Sequence, residues 1–160
     1  YGVGDTKGAA QLRSQAMDEA ETSACEIDGV SCEWVADGDS RLGPICEVVA
    51  NGQYYWLPFE SCKGIVIEAP VDLRDMVWAP AELLLPNEGR VPALIPTRYP
   101  ETSSLQGGNA DALKRARATE WTENAPGIWF GLGQRVWNTD VAEHPILDTR
   151  QITLVAASSP

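Results

Sequence analysis

ADGDSRLGPICEVVANGQYYWLPFE, residues 36–60, holds the turn signal that decides the fold. Asn51-Gly52 lies between two runs of β-forming residues, and a two-residue hairpin turn needs positive φ at both central positions, which Asn and Gly reach at least cost. The stretch therefore predicts a hairpin. In that register Val49 faces Tyr54, Val48 faces Tyr55, Glu47 faces Trp56 and Cys46 faces Leu57. Alternation puts Cys46, Val48, Tyr55 and Leu57 on one apolar face, expected in the core. The other face carries Ile45, Glu47, Val49, Tyr54 and Trp56, and its single charge leaves it only partly covered.

A chain of 160 residues fits one domain, burying roughly 68–70% of its unfolded surface without metal or disulfide staples. Twelve Lys and Arg against 23 Asp and Glu give a net charge of −11. Such a surface repels phosphate backbones and anionic leaflets, so neither nucleic acid nor membrane is an expected partner. No apolar run is long enough to span a bilayer and no export signal is visible, which points to the cytoplasm. Cys25, Cys32, Cys46 and Cys62 form no C-x-x-C pair, and His144 is the only histidine. Buried free thiols are expected rather than zinc or disulfides.

Outward from the hairpin, Ala9, Leu12, Ala16 and Ala20 recur at helical spacing over Thr6 to Glu21, an amphipathic helix with a weak, alanine-rich stripe. Asp28-Gly29 predicts a turn between a short strand and a longer one, Val30 to Ala36. Gly64 to Glu68 reads as a strand; Val71 to Pro80 has no clear type. Ala81 to Leu85 and Arg90 to Ile95 form a second hairpin, with Pro92 placing part of it at a sheet edge. Thr97 to Gly108 is a loop, and Asn109 caps a helix to about Thr119 with Leu113 and Ala116 inward and Lys114, Arg115 and Arg117 outward. Short strands follow at Glu120 to Thr122, Ile128 to Phe130, Gln134 to Trp137 and Gln151 to Val155, with His144-Pro145 in a connecting loop. The expected fold is α+β, mainly β: a small antiparallel barrel-like or sandwich domain with one or two flanking helices. Residues 25–155 form it, 1–24 are linker and helix, and 156–160 are a frayed tail.

Several segments invite chemistry. Asp37 and Asp39 sit where a calcium loop starts, but positions five, six and twelve are Arg41, Leu42 and Val48, so the EF-hand spacing fails. A structural loop is expected instead, with Asp39 or Ser40 closing a side-chain-to-backbone turn and Arg41 forking onto a carboxylate. Ser40, His144 and an Asp can be drawn as a triad, yet no G-x-S-x-G elbow accompanies the serine. Gly131-Leu-Gly133 lacks the third glycine of a phosphate loop and reads as a strand bend. Arg98-Tyr99 and Gln134-Arg135 are a recognition patch or ion-pair partners for Asp37, Asp39, Asp72 or Asp75. The six tryptophans are mostly core, with Trp56 the first candidate for a partner groove.

Taken together, WVADGDSRLGP (34–44), NGQYYWLPF (51–59), DLRDMVWAPA (72–81), IPTRYP (95–100), Glu120-Trp121 and GLGQR (131–135) resemble the C-terminal region of the ImpE (TagJ) family of bacterial type VI secretion. They come in family order over about Leu12 to Leu154. The resemblance implies a cytoplasmic, non-enzymatic adaptor with no cofactor, contacting the small subunit of the contractile sheath and linked to the ClpV ATPase. It also implies that residues 1–24 are what is left of a helical N-terminal domain. The structural or interaction candidates are Asp37, Asp39, Ser40, Arg41, Trp56, Arg74, Arg98, Tyr99, Trp121, Gln134 and Arg135. The competing expectation is a small-ligand-binding or hydrolytic domain using the Asp37–Pro44 loop with Arg98 and Arg135.

Overall fold

The hairpin forms as the Asn-Gly turn dictates. In the computed structural model, which describes residues 6–20 and 22–155, Asn51 and Gly52 have φ of 51° and 74°. Val49 pairs with Tyr54, Val48 with Tyr55, Glu47 with Trp56 and Cys46 with Leu57. In chain order the elements are helix α1 (Thr6–Glu19), then β1 (Cys25–Ile27), β2 (Val30–Cys32), β3 (Val35–Asp37), β4 (Ile45–Ala50), β5 (Gln53–Pro58) and β6 (Gly64–Ile67). There follow β7 (Trp78–Leu84), β8 (Arg90–Pro96), α2 (Ala110–Lys114), β9 (Thr119–Ala125), β10 (Ile128–Gly133), β11 (Val136–Thr139), β12 (Glu143–Pro145) and β13 (Gln151–Leu154).

Every strand pairing is antiparallel. Eight strands form one sheet in the order β2-β1-β13-β6-β7-β8-β4-β5, with β12-β11-β3 and β10-β9 as smaller sheets. The fold is α+β and mainly β. The large sheet is open, since its edge strands β2 and β5 do not pair with each other, so no closed barrel forms. Its buried cluster runs from Cys25, Ile27, Val48, Ile65 and Ile95 to Phe59, Trp137 and Ile146. Phe59 meets Trp137 edge-on, ring centroids 5.7 Å apart, tying the large sheet to the three-stranded one. All four cysteines are buried and free.

Several expectations change, each for a physical reason. Tyr55 is exposed despite lying on the face of Val48, because β5 is the outermost strand of the sheet and this end of the face has lost the strand neighbours that bury Val48. The strand from Val30 stops at Cys32; Glu33 donates its N–H to Asp140 (2.7 Å), and Val35 to Asp37 join β11 in another sheet. In α1 the stripe docks only in part: Leu12 is 70% exposed, while Ala16 and Ala20 line a cavity against Leu42 and Pro44. The helix is held by Arg13, whose Nε donates to the Ser40 carbonyl at 2.6 Å, and by Met17, whose methyl fills the space over Gly43. Ala116 at φ 53° ends α2 early, with Arg117 N–H returning to the Ala112 carbonyl, the closure of a Schellman-type cap. Asn109 stands at the N-cap of that helix, its carbonyl accepting from the Ala112 and Leu113 N–H groups, but its side chain makes no capping bond and donates to Glu120 instead. Pro92 lies in the interior strand β8, at a position beyond the two residues, Ala93 and Leu94, that β4 pairs. It sits on a local edge, where a missing donor costs no ladder bond. His144 and Pro145 form strand β12 rather than a loop. The tail 156–160 lies outside the described residues.

A buried ion node and an exposed aromatic edge

Asp37 ends β3 and Arg135 precedes β11, so the pairing of these two strands brings them together. Arg135 is 1% exposed. Its Nη1 donates to Asp37 Oδ2 at 2.9 Å, its Nη2 to Glu47 on β4, and its Nε to the Pro96 carbonyl at 3.1 Å. The other Asp37 oxygen accepts from the Asp39 N–H (2.8 Å) and the Tyr99 hydroxyl (2.9 Å). Tyr99 in turn accepts from the Val136 N–H at 3.0 Å. Each charge taken out of water is thus met by a countercharge or a fixed donor, the condition for burying it.

A second fork adjoins the first. Asp39, fully buried, accepts from the Arg41 N–H and Nε, both at 2.8 Å, through Oδ1. Its Oδ2 accepts from Arg41 Nη2 at 2.6 Å and from the Gly131 N–H at 2.8 Å. The Arg41 guanidinium lies 4.3 Å over the Phe130 ring. Loop 37–44 is therefore the turn and fork expected of it, with Asp39 closing the turn, and both aspartates are occupied by N–H donors. Ser40 accepts from the Trp129 N–H through its hydroxyl (3.0 Å), whereas His144 stands on β12 beside the Thr139 hydroxyl (3.2 Å). The hydrolase triad is not assembled.

Burial raises the Asp37 carboxyl to about 6 from an ordinary 3.8, against the pull of Arg135 and of its N–H and hydroxyl donors. Burial lowers Arg135, but Asp37 and Glu47 outweigh it and hold the guanidinium above its usual range. Burial raises the Tyr99 phenol as well. Carboxyl-carbon NMR of the folded protein should show Asp37 titrating near 6; a midpoint at 3.8 would refute the reading. Between those values the folded chain holds a proton that the unfolded chain has released. This group's contribution to stability is therefore complete below 3.8 and is lost as pH rises through about 6.

Of the sequence candidates, the structure joins Asp37, Asp39, Ser40, Arg41, Tyr99 and Arg135. Trp121 belongs with them, its ring tilted at 56° to that of Tyr99 with centroids 5.5 Å apart, and lying against Gly38. Gln134 braces one side: its Nε2 donates to the Ala116 carbonyl and its Oε1 accepts from the Leu147 N–H. Arg98 bridges Gln134 through the backbone but sends its guanidinium to the Lys114 carbonyl. Arg74 is exposed on the 70–77 loop beside Asp72 and Asp75, both 3.6 Å away. Glu47 and Thr102 were missed. Glu47 was legible as the lone charge on an apolar strand. Thr102, which accepts from the Gly133 N–H at 2.9 Å, carried no signal.

Trp56 stands apart from the node in burial, though it reaches toward it. It is 58% exposed on β5, and Tyr54 and Tyr55 beside it are exposed too. A two-residue turn makes Ala50 and Gln53 a hydrogen-bonded pair, so by alternation Tyr54 and Trp56 turn their backbone N–H and C=O away from β4. Trp56 Nε1 donates to the Tyr54 hydroxyl (2.7 Å), which donates to Glu47. A cavity of about 300 Å³ opens next to Trp56, walled by Met17, Leu42, Pro44, Ile45 and Pro58. Among the described residues no group of three or more His, Cys, Asp or Glu side chains is placed to hold a metal ion, and no helix is long and apolar enough to cross a membrane.

Fold and site together define a mainly-β domain whose charged loops are locked into its own framework. The chain belongs to the ImpE family, whose model matches residues 29–153. It is 42% identical over 149 residues to the type VI secretion system accessory component TagJ of Pseudomonas aeruginosa, covering 93% of this chain and 50% of that protein. The crystal structure of protein VPA1032 from Vibrio parahaemolyticus has the same fold, with a TM-score of 0.84 at 24% identity over 96% of this chain and 56% of that one. The chain thus spans about half the length of the relatives it matches.

Proposed function

We propose that this domain is a non-enzymatic accessory module of the bacterial type VI secretion machine, acting in the cytoplasm and docking on the small subunit of the contractile sheath. The link to the ClpV ATPase runs through the part of the longer relatives that this chain does not span, and residues 1–24 lead from that helical part into the 25–155 domain. Family membership and the accessory role named for the Pseudomonas relative support this reading. One observation of the structure carries the docking: three consecutive exposed aromatics, Tyr54, Tyr55 and Trp56, on a free sheet edge beside an apolar cavity. Aromatics that hold a wide apolar area in water, with a polar tip and few rotamers to freeze, are the usual anchors of an interface. The competing ligand-binding reading needs Arg98 and Arg135 to converge with the Asp37 loop in an open pocket. Arg135 is buried with each of its three guanidinium nitrogens already donating within the fold, and Arg98 points elsewhere.

Calorimetric titration of the chain with the sheath small subunit should show binding. Trp56→Ala should weaken it about tenfold or more, while changing folding stability by no more than about 0.5–1 kcal/mol at this exposed site. Absence of heat, or binding indifferent to Trp56→Ala, would remove the domain from this role.

A further inference from the structure

The 70–77 loop presents Val71 and Leu73, 91% and 87% exposed, an unfavourable placement for aliphatic side chains. They are not on a loose segment. Asp75 Oδ2 accepts from the Val71 N–H at 3.0 Å, Asp72 Oδ1 from the Arg74 N–H at 2.8 Å, and Thr97 ties the loop's end through the Met76 carbonyl at 2.7 Å. The loop is pre-organised, so a partner meeting these side chains has little backbone entropy left to remove.

Across a groove of about 700 Å³ stand Lys114, Arg115 and Arg117. This wall is equally fixed: Ala116 between the cations is buried, and Arg98 and Gln134 hold the carbonyls of Lys114 and Ala116. Arg115 reaches only Asp111, at 3.9 Å, and Lys114 and Arg117 form no ion pair among the described residues. Asp72 is the one carboxylate lining the groove, and its oxygens already face Arg74 and the loop N–H groups.

We infer that this groove is a second docking surface, for an acidic protein segment carrying aliphatic side chains. Its carboxylates would pair with Arg115, Arg117 and Lys114, and its aliphatics would cover Val71 and Leu73. Charge decides the occupant. With a net charge of −11, the rest of the molecule repels an acidic segment, which is therefore steered to this cationic wall and disfavoured in other poses. A nucleic acid is excluded by the same field, since its charge extends well past three cations. The groove shares no residue with the cavity beside Trp56, so the inference stands independently of the docking proposed there.

The test uses the whole chain, isotope-labelled, and a short synthetic peptide with Leu at helical spacing and Glu or Asp between. NMR titration should give saturable shifts confined to residues 70–77 and 110–118. The Kd should rise about tenfold with added salt or in Arg115→Glu/Arg117→Glu, and severalfold in Leu73→Ser. These exposed substitutions should leave the rest of the spectrum unchanged. A matched peptide with Lys in place of Glu should not bind. Shifts elsewhere, equal binding of the basic peptide, affinity unchanged by charge reversal, or no saturable binding would each overturn the inference.

Discussion

Arg135→Met should lower folding stability by about 3–5 kcal/mol, the usual cost of removing one partner from a buried ion pair. Methionine keeps most of the volume, so packing is not the source of the loss. Asp37 and Glu47 would be left sharing one interior without a countercharge, and the Asp37 carboxyl would respond by holding its proton to higher pH. The loss should therefore be smaller near pH 5 than near pH 7, a dependence that a cavity alone would not produce. Arg135→Lys should fall between wild type and Met. It restores the charge but cannot reach Asp37, Glu47 and the Pro96 carbonyl together as the planar fork does. Denaturant unfolding at the two pH values checks this; a pH-independent loss under about 1 kcal/mol would mean the pair is not what holds these loops.

Gly133→Ala should be as damaging, for a steric reason. Gly133 has φ of 90°, and a Cβ there would lie 2.1 Å from the Ala118 carbonyl oxygen and 2.7 Å from Leu113. Backbone cannot yield as a side-chain end does. Its N–H and carbonyl are also both engaged, by Thr102 and by the Tyr99 N–H, so the strand end has no freedom to move aside. Strain and clash together should cost more than about 3 kcal/mol. Gly52→Ala supplies the control: φ is 74°, but nothing lies within 4 Å of the new methyl, so only the conformational term of about 1–2 kcal/mol remains. Thermal unfolding of the pair separates the two effects, and equal losses would show that the close approach at Gly133 is relieved cheaply.

The hairpin register was readable because Asn51-Gly52 fixes it locally, within ten residues of every pair it sets. Which face of β5 is covered was not. That depends on β5 being the last strand of the sheet, and so on the order of seven others. The same distinction divides the site. The fork of Arg41 on Asp39 is a two-residue affair and follows from the loop's own composition. The pairing of Arg135 with Asp37 spans 98 positions, and nothing local chose Asp37 among the four carboxylates open to that arginine. Helix α1 misleads for a related reason. Its alanines mark a face by period, yet alanine gains little by burial, and the longer Met17 and Arg13 decide how the helix sits. The six stretches that resemble ImpE proteins mostly converge here as framework, while 51–59 and 72–81 keep the exposed side chains Tyr54, Tyr55, Trp56 and Leu73.

The pairing of β13 between β1 and β6 also sets a timetable. Cys25 lies opposite Leu154, and Ile65 opposite Ile152, so the first hairpin has no hydrogen-bonded neighbour in the sheet until the last strand arrives. On the ribosome, β6, β7, β8, β4 and β5 can assemble while β1 and β2 wait with an open edge. The sheet is completed only after Leu154 has left the exit tunnel. A stalled or truncated nascent chain would expose strand edges to its neighbours, a hazard that a fold built from sequential hairpins avoids.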